Sequence, residues 1–136
     1  MKNILIVDGQ GGRLGSQLVQ AIAGRFPQVR ISAVGTNAMA TAAMIKAGAH
    51  QAATGENPTL VACRKADVII GPIGMVIADA LYGEITPGMA AAIGQADAVR
   101  ILIPINKCEN MVAGVSDQPL SALIDDALKK LAQFLE

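Results

Sequence analysis

Aromatic residues are almost missing from this chain: there is no tryptophan, one tyrosine (Tyr82) and two phenylalanines (Phe26 and Phe134). Nothing here offers a platform on which nucleobases stack. An excess of charge of either sign is also lacking. Lysine and arginine total 11, aspartate and glutamate 11, and no long basic run interrupts that balance. Nucleic acid is therefore not an expected partner. Histidine occurs once, at His50, which excludes a His-rich metal site. Cys63 and Cys108 are far apart and form no C-x-x-C pair, so neither a disulfide framework nor a zinc site is indicated. The chain shows no secretory leader and no apolar run of the roughly 18 residues that a membrane span needs. The expectation is a cytoplasmic protein with no membrane partner.

What the chain has in quantity is small and aliphatic side chains. Hydrophobic residues make up 52% and charged ones 16% of 136 residues. That length fits one domain, residues 1–136, with a single core. The apolar excess is high for a small soluble monomer, and predicts a homo-oligomer, most simply a dimer.

Along the chain, apolar runs ending on glycine alternate with helical stripes. Lys2 to Val7 reads as a strand, and Leu14, Leu18, Ile22 and Phe26 recur at helical spacing until Pro27 stops them. Val29 to Val34 is the second strand. Thr36 or Asn37 then caps an Ala/Met-rich helix from 38 to 47, closed by Gly48. His50 to Ala53 is a weak third strand. Asn57-Pro58 looks like the start of a helix running to about Ala66. Asp67 to Ile70 is the fourth strand, ending on Gly71-Pro72-Ile73-Gly74. Met75 to Leu81 reads as a short helix and Thr86-Pro87 as the start of another. Val99 to Ile103 is the fifth strand, which Pro104 ends, and Met111 to Val115 a short sixth at an edge. The last helix carries Leu120, Leu123, Ile124, Ala127, Leu128, Leu131 and Leu135 on one side, with Asp125/Lys129 and Asp126/Lys130 paired at i, i+4 on the other. Alternating strands and helices predict an α/β, three-layer Rossmann-like fold, with a mostly parallel five- or six-stranded sheet of order 3-2-1-4-5. Ligands of such sheets bind beyond the strand carboxyl ends where the order reverses, here between Asp8–Gly15 and Gly71–Gly74.

The stretch "DGQGGRLG", Asp8 to Gly15, is the first strand-to-helix turn. Its spacing is Gly9-x-x-Gly12-x-x-Gly15 with Gly11 added. Glycines permit a tight turn and remove the Cβ atoms that block a pyrophosphate, while the following helix start offers N–H groups to an anion. Arg13 adds a cation. Against this, the strict G-x-G-x-x-G fingerprint fails at Leu14. Asp8 puts a carboxylate beside the phosphate position, and Gly35, Thr36 and Asn37 stand where an NAD site usually supplies an acidic ribose ligand. The glycines fit either a bound anion or a plain turn. The candidate ligand-binding set is Gly9, Gly11, Gly12, Arg13, Gly15, Thr36, Asn37, Gly71 and Gly74.

Two further polar clusters fall on loops at the same rim, Thr54-Gly55-Glu56-Asn57 and Asn106-Lys107-Cys108. Glu56 has the chemistry of a base or hydroxyl acceptor, Lys107 that of an anion or carbonyl ligand, and Cys108 beside Lys107 that of a nucleophile. Each also has a bland reading: Asn57 as a cap, Asn106 as a turn residue, Cys108 as a buried thiol.

The G-x-x-G-x-x-G turn is similar to that of extended and atypical short-chain dehydrogenases. The Tyr-x-x-x-Lys pair of those enzymes is absent, since Tyr82 is the only tyrosine and position 86 is Thr. Over nearly its whole length, through "DGQGG", "GTNAMATAAMIKAGA", "ATGEN", "ADVIIGPIGMVIADAL", "GEITPGMA" and "ILIPINKC", the chain resembles a small bacterial family catalogued as a domain of unknown function. The resemblance implies a Rossmann-like fold and brings no reaction with it. The resulting expectation is a protein that binds a nucleotide, NAD(P) or another, or a different phosphorylated small molecule. The alternatives are a non-enzymatic ligand sensor and a structural homo-oligomeric module.

Overall fold

A computed structural model describes residues 1–105 and 109–136. The elements run β1 (Asn3–Asp8), α1 (Arg13–Arg25), β2 (Arg30–Gly35), α2 (Ala38–Ala47), β3 (Gln51–Thr54), α3 (Glu56–Cys63), β4 (Val68–Pro72), a 3₁₀ turn (Ile73–Val76), α4 (Pro87–Gln95), β5 (Val99–Ile103) and α5 (Leu120–Leu135). All sheet pairings are parallel and the order is β3-β2-β1-β4-β5. This is the Rossmann-like arrangement that the alternation of patterns predicts.

The central strands read as continuous apolar runs because both faces are covered. Ile4 and Ile6 of β1 point to one side with Ile31, Val68 and Ile70, under α1, α5 and Met44 of α2. Leu5 and Val7 point to the other with Ile69, beneath Cys63 of α3, Met89 and Ile93 of α4, and Met75. Register places Val7 opposite Val34 and Asp8 opposite Gly35. The ends of β1 and β2 therefore open together at one rim.

Several boundaries differ from the sequence reading. The cap of α2 does fall on one of its two expected residues, Asn37, whose Oδ1 accepts from Ala40 N–H at 2.9 Å. Helix α3 begins at Glu56 with Gly55 as its cap, so Asn57 lies inside the first turn. In place of a helix over 75–81 there is the 3₁₀ turn and then irregular chain, because Asp79, Leu81 and Tyr82 take left-handed backbone (φ 66°, 57° and 56°). No sixth strand forms among the described residues; Met111 is 96% exposed and packs on nothing that would hold an edge strand. The i, i+4 pairs of α5 are present. Cys63 is buried, and exposed His50 accepts Ile31 N–H at Nδ1. Among the described residues, no helix is long and apolar enough to cross a membrane.

Candidate functional site

The glycine turn joins β1 to α1 at the rim, and its glycines have separate jobs. Gly12 is the cap of α1 with φ 76°, and a Cβ there would lie 2.8 Å from Ala40 Cα. It is glycine so that the turn can rest against the backbone of α2. A Cβ on Gly15 would meet Met44 Sδ at 2.6 Å and Asp8 Cβ at 2.8 Å, which is the close helix-to-strand approach expected of the last glycine in such turns. A Cβ on Gly9 would meet Thr36 Oγ1, Glu84 Oε1 and Leu81 Cδ1 at 2.6–2.9 Å. The approach to Gly9 is therefore taken by the chain itself. Gly11 alone in the turn faces open space, with nothing within 4 Å of its Cβ position.

Asp8 is buried under this turn. Its Oδ1 accepts Gly9 N–H at 2.8 Å and its Oδ2 accepts Gly15 N–H at 2.6 Å. Burial pushes the carboxyl above its ordinary value and the nearby Glu84 charge adds to the rise, against the two N–H groups that favour the ionised form. The carboxylate that the sequence places awkwardly is thus a turn-and-helix cap, taking a donor in the first turn of α1. Gly12 N–H bonds Gly9 C=O. No acceptor on the described residues meets Gly11 N–H, or Arg13 and Leu14 N–H at the start of α1. The Arg13 guanidinium is exposed and pairs with no described carboxylate.

The second strand's end is closed by a residue the sequence reading passed over. Glu84 Oε1 accepts Gln10 N–H at 2.9 Å, the Thr36 hydroxyl at 2.5 Å and Asn37 Nδ2–H at 3.2 Å, and Oε2 shares the Asn37 amide at 3.2 Å. Gln10 N–H above all, then the Thr36 hydroxyl, hold its carboxyl below the ordinary range; partial burial opposes them and the Asn37 amide helps. Asn37 also donates to Gln10 C=O at 2.9 Å, so one amide ties together the turn, the start of α2 and Glu84. The only sequence signal for Glu84 is its place: a charged residue in the unperiodic stretch "LYGEITP", on a loop after the carboxyl end of β4.

The remaining candidates are scattered. Gly71 is buried in β4, where a Cβ would strike Val7 C=O, so it serves packing at the end of that strand, and Gly74 is buried in the 3₁₀ turn. Glu56 accepts the hydroxyl of Thr86, the cap of α4, and sits against Gly88. It links α3 to α4 and makes no bond to the glycine turn. Lys107 and Cys108 lie outside the described residues. Among the described residues no group of three or more His, Cys, Asp or Glu side chains is placed to hold a metal.

No protein of curated function matches the chain. A solved structure, a dodecameric FMN-dependent UbiX-like decarboxylase from Escherichia coli O157:H7, is similar over 95% of this chain and 76% of its own, with 19% identity and a TM-score of 0.45. Residues 3–136 match the family described as Domain of unknown function (DUF3842), and the protein belongs to that family.

Proposed function

We propose that the protein binds a nucleotide, NAD(P) or another, or a comparable phosphorylated small molecule at the carboxyl ends of β1, β2 and β4. The observation that carries this reading is the unspent part of the turn. Gly11, Arg13 and Leu14 keep their N–H groups, Gly11 has room above it, and Arg13 is an exposed cation at the start of the same helix. Donors at a helix start favour an anion through both hydrogen bonds and the helix dipole. Gly9, Gly12 and Gly15 contribute by shaping the turn, Thr36 and Asn37 by closing it toward β2, and Gly71 and Gly74 by setting the wall at β4. The reading is one of binding; no nucleophile–base pair among the described residues assigns a reaction.

A thermal-shift panel of NAD, NADP, ATP, flavin, S-adenosylmethionine and coenzyme A tests it. At least one should raise Tm, and Gly11→Asp, which adds a charge where there is room for it, should abolish that rise while leaving the ligand-free Tm in place. A flat panel sinks the proposal.

One feature favours self-association as well. Helix α2 buries Ala40, Thr41 and Met44, yet its outer side is also mostly apolar, with Ala38, Met39 (70% exposed), Ala42 and Ile45 (53% exposed) and a single charge, Lys46, in the last turn. A helix apolar on all sides is ordinarily covered on all sides. Sedimentation of the wild type against Met39→Glu/Ile45→Glu distinguishes a homo-oligomer, whose assembly the pair should break, from a monomer, which it should not affect.

A further inference from the structure

The loop between the 3₁₀ turn and α4 is built to deliver one carboxylate. It folds on itself through Asp79 N–H to Ile85 C=O (2.7 Å), Gly83 N–H to Asp79 C=O (3.1 Å) and Ile85 N–H to Ala80 C=O (3.1 Å). Leu81 and Ile85 anchor it in the core, at 4% and 0% exposure, on either side of a fully exposed Tyr82. Three non-glycine residues, Asp79, Leu81 and Tyr82, accept left-handed backbone to make this shape, an arrangement that persists only where surrounding contacts enforce it. Its product is the Glu84 carboxylate, half-buried at the end of β2 on donors from Gln10, Thr36 and Asn37.

We infer that Glu84 is the specificity-determining residue of this site, accepting hydroxyl groups of the ligand at the end of β2 and refusing a phosphate there. The inference rests on the binding reading above and names the ligand class: a ribosyl phosphate with a free diol. Glu84 Oε1 is saturated by its three donors, whereas Oε2 shares only the Asn37 amide and keeps acceptor capacity. The carboxylate is ionised at neutral pH, since those donors lower its pKa. An ionised acceptor welcomes hydroxyls and repels phosphate. It also stands next to the open donor: Gln10 N–H goes to Glu84, and the following N–H, that of Gly11, is unspent. Adjacent acceptor and donor suit a hydroxyl and a phosphate carried by one sugar. A competing account makes Glu84 a stand-in anion that the ligand pushes aside. That displacement gives up three charge-assisted hydrogen bonds at once, which are among the stronger kind, and the core anchors of Leu81 and Ile85 hold the loop against it.

Titration calorimetry with adenosine 5′-monophosphate, its 2′,3′-dideoxy analogue and adenosine 2′,5′-bisphosphate decides the matter on the wild type without any variant. The ribonucleotide should bind at least about tenfold more tightly than either analogue, the scale of one charge-assisted hydrogen bond. In Glu84→Gln and Glu84→Ala the three ligands should converge, with bisphosphate binding rising. Equal binding of all three by the wild type overturns the inference, as does tighter ribonucleotide binding by Glu84→Ala, the mark of a displaced stand-in. No ribonucleotide binding by the wild type also overturns it, while the proposed function stands or falls separately on the wider panel.

Discussion

Gly11 and Gly12 are neighbours in the same turn, and replacing each with alanine should have opposite effects. At Gly12 the backbone is left-handed and a Cβ would press to within 2.8 Å of Ala40 Cα and 3.0 Å of Ala40 C=O. Left-handed backbone costs an L-residue about 1–2 kcal/mol, and forcing a methyl into packed backbone about 1–3 kcal/mol more. Gly12→Ala should therefore lose about 2–5 kcal/mol, of a total that for a chain of this size is on the order of 10 kcal/mol. At Gly11 nothing lies within 4 Å and the backbone is not left-handed, so Gly11→Ala should be neutral or gain up to about 1 kcal/mol by restricting the unfolded chain. Urea unfolding must be followed by far-ultraviolet circular dichroism, because the chain lacks tryptophan and its only tyrosine is fully exposed. The matching fall in Tm for Gly12→Ala should be about 10 °C. Equal losses from the two variants would refute the division of labour among these glycines, and with it the claim that Gly11 is the one kept open.

Glu84→Gln should cost about 1–2 kcal/mol at neutral pH through weakened bonds to Gln10 and Thr36. The folded-state pKa of Glu84 is depressed, so its contribution is present above the unfolded value and is lost as pH falls through the folded one. The stability gap between wild type and Glu84→Gln should accordingly close on acidification; a gap that is flat or widens below pH 4 or so contradicts the assignment. Cys63 is buried with its thiol pushed up by desolvation. In a Cys108→Ser background a thiol reagent should therefore label Cys63 only at the rate of unfolding, and rapid native labelling would show that the core over α3 is open.

The fold was legible because β1, β2, β4 and β5 are largely apolar runs followed by glycine or proline, and each long helix carries its own stripe or cap. Residues Ala38–Ala47, closed by Gly48, and the start of α4 at Thr86-Pro87 follow from local chemistry alone. Where local rules misled, a distant partner had decided. Asn57-Pro58 has the look of a helix start, yet Gly55 starts α3, its N–H taken by Gly35 C=O from the neighbouring strand. Met75 to Leu81 read as a short helix, but the path of the chain beyond the 3₁₀ turn is set by Leu81 and Ile85 entering the core and by Glu84 meeting β2. The site was half legible. Glycine spacing located the turn, and Asp8 was noticed as an obstacle. That Asp8 caps the turn, and that Glu84 arrives from 74 residues beyond Gln10, are facts of tertiary contact with no trace in spacing.

The two carboxylates flanking the turn carry a consequence for protons. Asp8 already feels Glu84 as a repulsive charge and holds its proton more firmly for it. The proposed anion at the turn would add a third negative charge near these two and would raise the Asp8 affinity for a proton further. Binding and proton uptake are then thermodynamically one process. On the binding reading proposed above, the affinity of the turn for its anion would therefore fall as pH rises, with the buried Asp8 carboxyl as the group that couples the two.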